Sequence, residues 1–145
     1  MIVCLSASCI SINDDNNFST YKGKLSLNYN NIEQSSFNIA ISLSNKDSII
    51  QIKKPFYGNV LKIIVDKEKN LIFLPTEYSD SFNIPNEINR NFKYWLKQCL
   101  LSRNFDVERK IENIDFYFTC KKINNKTDYF IKYQNNSING FVYNE

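Results

Sequence analysis

The side chains able to do chemistry in this chain are few, and histidine is not among them. That absence removes the Ser-His and Cys-His nucleophile pairs, and with them most zinc and haem sites. Four cysteines occur, Cys4, Cys9, Cys99 and Cys120. None forms a C-x-x-C pair, so a structural zinc is not expected. The fifteen carboxylates are scattered, among them Asp14, Asp15, Asp47, Asp66, Glu68, Glu77, Asp80 and Glu87. No two share an inward face at the spacing an acid–base pair needs. There is no P-loop, no G-x-G-x-x-G and no G-x-S-x-G. The chain therefore reads as a non-enzyme without metal or cofactor, and the question moves from catalysis to binding.

Two places still carry chemistry. Residues 1–9, MIVCLSASC, form a short apolar run ending in small residues before Cys9. The run is far below the roughly 20 apolar residues that span a bilayer. It is similar to the end of a bacterial lipoprotein signal, after which the cysteine thiol and the new amino group are acylated. Cys9 is thus the candidate lipidation site, and residues 10–17, polar and without period, read as a tether. The second place is the turn Pro55-Phe56-Tyr57-Gly58 behind Lys53 and Lys54. Pro fixes φ and Gly accepts positive φ, so a hairpin turn is expected. Two aromatics at its tip, where polar residues are usual, either tuck back onto the sheet or probe a membrane or partner.

These places must be held by β structure. Eleven Phe and nine Tyr against three Gly and three Pro favour half-buried pleated strands with turns built from Asn, Asp and Ser. From Phe18 to Tyr29 the apolar period is two, with Tyr21, Leu25 and Leu27 on one face. Phe37, Ile39, Ile41 and Leu43 alternate next. Ile50 and Ile52 lead into the aromatic turn, and the strand from Val60 to Val65, including Ile63, is apolar on nearly both faces. Leu71–Leu74 is short and ends at Pro75. The helix is Asn86–Leu101, where Ile88, Phe92, Trp95, Leu96 and Cys99 make an apolar stripe, with Asn83 or Asn86 as its cap. Four more period-two segments follow, around Phe105, Phe116–Phe118, Tyr129–Tyr133 and Ile138–Tyr143. The order is β-meander, helix, β-strands: an α+β fold with one antiparallel sheet wrapped on a helix. Cys99 and Cys120 are expected as buried thiols; a disulfide between them cannot be read from spacing.

Length and charge bound the rest. At 145 residues the chain is one domain by the usual prior. A net charge of +3, with its densest spots only Lys53-Lys54 and Lys121-Lys122, lacks the clustering that nucleic-acid binding needs, so none is expected.

The order of features resembles one family. Tyr21-Lys22-Gly23-Lys24-Leu25-Ser26-Leu27 is similar to the aromatic-x-G-[RK]-L-x-[VL] opening of the LolB family. Phe37, Ile41 and Leu43 fall where that family has Phe, Phe and Trp. Pro55-Phe56-Tyr57-Gly58 resembles its P-L-G turn with one residue more. Ile84-Pro85 followed by Phe92-Lys93-Tyr94-Trp95-Leu96 looks like its [IL]-P…L-[RK]-x-W-[IVL] helix. The likeness covers about residues 9–101; Leu43 departs from the family's Trp, and the C-terminal third does not align. The resemblance implies a curled antiparallel sheet forming a half-open barrel, with a helix packed across its concave face, over residues 18–145. It implies an outer-membrane lipoprotein, monomeric, facing the periplasm. Such a protein accepts lipoproteins from a LolA-like periplasmic carrier and inserts them into outer-membrane lipid. The acyl-chain cavity would be lined by Leu25, Leu27, Phe37, Ile39, Ile41, Leu43, Ile63, Ile88, Phe92, Trp95 and Leu96. Phe56, with Tyr57, would take the place of the protruding Leu that drives insertion. The rival reading is a structural or sensor envelope lipoprotein of the same fold, filled solid and carrying no acyl chain.

Overall fold

The computed structural model describes residues 18–56, 58–66, 68, 71–75 and 84–145. Nine strands make one antiparallel sheet: β1 (Phe18–Tyr29), β2 (Ile32–Ser44), β3 (Ser48–Lys54), β4 (Gly58–Val65), β5 (Leu71–Leu74), β6 (Asn104–Ile111), β7 (Ile114–Ile123), β8 (Lys126–Tyr133) and β9 (Asn136–Asn144). One described helix, α1 (Asn86–Leu101), lies between β5 and β6 in the chain. The strand order is β5-β4-β3-β2-β1-β9-β8-β7-β6, so the sheet does not close and its edges are β5 and β6. Two meanders, β1–β5 and β6–β9, are joined where the first strand pairs with the last.

Asparagine does the work of the scarce glycines in the turns. Asn30 and Asn31, at φ 50° and 64°, connect β1 to β2, the left-handed pair that a two-residue hairpin needs. Glu112 and Asn113, at 53° and 65°, connect β6 to β7, and Asn124 (57°) and Gln134 (58°) start the next two turns. The β2–β3 turn is closed by a buried serine: Ser48 Oγ donates to Ser44 O at 3.3 Å and accepts from Ser44 N at 3.2 Å.

Gly23 and Gly140 sit where β1 and β9 approach most closely. A Cβ on Gly23 would stand 1.8 Å from Phe141 O, and one on Gly140 2.0 Å from Lys24 O. No other residue type fits either position without moving a strand.

The helix starts at Pro85 without a side-chain cap, against the expectation from Asn86; Asn83 lies outside the described residues. Its first turn is held by Asn89 N donating to Pro85 O at 3.1 Å, with Glu87 favourably placed at the positive end of the helix dipole. Leu96 and Leu100 join a cluster with Tyr21, Leu25, Ile39, Ile41 and Ile50. Trp95 and Cys99 join another with Ile111, Phe116 and Phe118. Through these two clusters the helix links the two halves of the sheet.

Cys99 and Cys120 are bonded to each other, with Cα atoms 5.3 Å apart. This corrects the expectation of free thiols. Cys99 is on the last turn of the helix stripe and Cys120 is inward on β7, so the same face that buries both brings their sulfurs together.

Candidate functional site

The site is built from inward positions of eight strands, all but β6. On β1 to β4 the period of two turns Leu25, Ile39, Ile41, Ile50, Ile52 and Ile63 to the face that meets α1, and on β7 to β9 it does the same for Phe116, Phe118, Ile131, Ile138 and Val142. The helix contributes Ile88, Phe92, Leu96, Cys99 and Leu100. These residues do not fill the space between sheet and helix. They leave a cavity of about 320 Å3, also bordered by Leu71, Phe73, Ile84 and Pro85. That size lies at the small end of ligand sites, which run from about 300 to 1,000 Å3.

The lining decides what chemistry is possible. Among the described residues it holds no charged side chain, and its only polar groups are the hydroxyls of Tyr129 and Tyr133. Tyr129 Oη is spoken for: it donates to Lys24 O at 2.7 Å. Burial holds the Tyr129 pKa far above the ordinary phenol value, since a phenolate would lose its hydration here. A wall of this kind recognises an alkyl chain by exclusion from water rather than by a head group.

Of the residues expected to line a cavity, Leu25, Ile39, Ile41, Ile63, Ile88, Phe92 and Leu96 do so. Four do not. Trp95 is buried with its ring stacked on Phe116, centroids 5.4 Å apart, and is part of the solid packing toward β6 and β7. Phe37 packs half-buried against the core cluster. Leu27 is half-buried near the end of β1, beside Ile138 and Ser35, outside the lining. Leu43 is buried at the far end of β2 and borders instead a second recess with Ser19, Lys93 and Lys97. The β7–β9 half of the lining was missed. Its inward parity was readable in the sequence; its pairing with β1, which brings it to the same cavity, was not.

The aromatic turn is the other half of the site. Pro55 and Phe56 form a turn between β3 and β4, preceded by a register shift at Ile52/Lys53. Phe56 is fully exposed (106%) and does not tuck back onto the sheet. Its φ is +71°, a left-handed conformation that a bulky side chain adopts only under constraint. Gly58, at φ +79°, completes the turn. Tyr57 and Cys9 lie outside the described residues, as do residues 1–17 as a whole.

No protein-family model and no curated protein matches the chain. Among the described residues no group of three or more His, Cys, Asp and Glu is placed to hold a metal ion, and no helix is long and apolar enough to cross a membrane.

Proposed function

We propose that this chain is an acyl-chain receptor of the LolB kind: an envelope lipoprotein, anchored through Cys9, that takes cargo lipoproteins from a periplasmic carrier and delivers them to the outer membrane. The observation that carries the reading is the uncharged cavity of about 320 Å3 between sheet and helix. The sheet would act as a half-open barrel, with α1 across its concave face and the cavity holding the alkyl chain. Transfer needs no ATP, because a ligand moves down a ladder of affinities from carrier to receptor to bilayer. Phe56 supports the delivery step. An exposed phenyl held outward in a strained turn beside Lys53 is suited to enter lipid while the lysine meets anionic head groups. The Cys99–Cys120 bond supports an oxidising compartment.

The experiment is displacement of a fluorescent fatty acid from the purified protein. Saturable binding that is competed by unlabelled fatty acid, and weakened by Ile39→Phe, is the expected result. Absence of binding would leave the structural or sensor lipoprotein, which the close packing of buried Trp95, outside the lining, favours. For delivery, Phe56→Asp with Tyr57→Ser should leave fatty-acid binding intact and abolish insertion of cargo into vesicles; unchanged insertion would remove the turn from the mechanism.

A further inference from the structure

The lysines that look dispersed in the sequence are gathered by the sheet. Strand pairing sets Lys53, Asn38, Lys24, Phe141, Asp128 and Lys121 in one lateral row across β3-β2-β1-β9-β8-β7. The next row runs Lys62, Gln51, Ala40, Lys22, Tyr143 and Lys126 across β4-β3-β2-β1-β9-β8. Both rows are on the outer face, because the residues flanking them along each strand are the ones that point at the helix or the cavity. Six lysines therefore share a band that runs about 29 Å along the sheet from β4 to β7. The carboxylates in reach are Asp128, 3.9 Å from Lys126, and Glu145, 3.5 Å from Lys22. Further acids, Asp106 and Glu108, border the band only at the β6 edge.

The aromatics in the band narrow the partner. Phe141 and Tyr143 meet edge to face, centroids 5.6 Å apart, and the Lys126 ammonium stands 4.7 Å above the Phe141 ring. Tyr143 is exposed, as is Phe130 on the neighbouring row. A surface that stacks bases of a single-stranded nucleic acid needs several open ring faces along the strand path. Here the Phe141 face is already taken by a lysine. A few rings among long lysines are instead the composition of a lipid head-group interface, where rings sit at the boundary and ammonium groups reach phosphates.

We propose that this outer band is an electrostatic docking surface for a bilayer containing anionic lipid. It is separate from the cavity, meets the Phe56 turn only at Lys53, and stands whether or not the chain binds acyl chains. Each lysine near an anionic surface contributes about a factor of five in affinity, so the band supplies weak binding that becomes effective beside a second anchor.

The test is co-sedimentation of the protein with vesicles of phosphatidylcholine alone and with a third phosphatidylglycerol, at low and high salt. Expected are binding only to the anionic vesicles, loss at high salt, and a fall of well over 30-fold in Lys24→Glu with Lys121→Glu, the loss of two lysines alone accounting for about 30-fold. Both positions are exposed; Lys24→Gln with Lys121→Gln, which adds no repulsion, should give a smaller fall with an unchanged circular dichroism spectrum. Phe56→Asp should keep the preference for anionic vesicles, which separates the band from the turn, and fatty-acid displacement should be normal in the lysine variants. Equal binding to neutral vesicles, or anionic binding indifferent to these lysines, overturns the proposal. So does lysine-dependent binding of an oligonucleotide or of polyglutamate in place of vesicles.

Discussion

At Phe56 two demands oppose each other. A phenylalanine at φ +71° and fully exposed gains neither backbone comfort nor burial; left-handed backbone costs a side-chain-bearing residue about 1–2 kcal/mol. Phe56→Gly should therefore raise stability by up to about 1 kcal/mol, part of the relief being lost to the freer unfolded chain. The same variant should lose vesicle insertion, and chemical denaturation beside the insertion assay checks both halves. Gly23 argues the reverse case. Its missing side chain is required by Phe141 O, so Gly23→Ala should cost about 1–3 kcal/mol, seen as a lower denaturation midpoint. Tyr129 adds a pH dependence. Its folded pKa is raised from 10.0 by burial, so the folded state holds a proton that the unfolded state releases. That contribution is whole below pH 10 and is lost as pH rises above it toward the folded value. Tyr129→Phe should flatten this alkaline loss while lowering stability at pH 7 by about 1 kcal/mol through the missing bond to Lys24 O.

At the scale of elements, the strands and the helix were legible because each has one buried face. Tyr21, Leu25 and Leu27 mark β1 by period two, and Ile88, Phe92, Leu96 and Cys99 mark α1 by helical period; these local signals survive in any tertiary setting. What could not be read is pairing between distant segments. Nothing in Ile138–Tyr143 says that it lies against β1, yet Leu25 faces Gly140 there, and that contact decides that β7–β9 share the cavity and that Lys24 and Lys121 share a row. The disulfide was hidden for the same reason. It joins residues 21 apart, on a helix and on a strand, and only their packing shows that the sulfurs meet. Closing a loop of that length removes unfolded-chain entropy worth about 3 kcal/mol. Cys99→Ala with Cys120→Ala should lose about that much, and reduction of the wild type should lower its denaturation midpoint in parallel. A much smaller loss would mean that Trp95 on Phe116, with Leu96 and Leu100 in the other cluster, already holds the helix down without the covalent link.

For the whole molecule the cavity is the feature that stability alone does not explain. Apolar surface left in contact with water forgoes about 25 cal/mol per Å2 of burial, and cores ordinarily close to near-crystalline density. A chain with eleven phenylalanines and nine tyrosines had ample means to fill 320 Å3, but the cavity wall on β2 and β3 is made of isoleucines: Ile39, Ile41, Ile50 and Ile52. Filling it is therefore a direct test of what the space is for. Ile39→Phe places a ring into the cavity from the strand that faces α1. If the space is kept for a ligand, this variant should gain thermal stability without ligand, bind fluorescent fatty acid at least tenfold more weakly, and lose the stabilisation that fatty acid gives the wild type through binding to the native state. A loss of stability in the unliganded variant would instead mean that the sheet and helix have no room there and that the core is already complete, as a purely structural protein would have it.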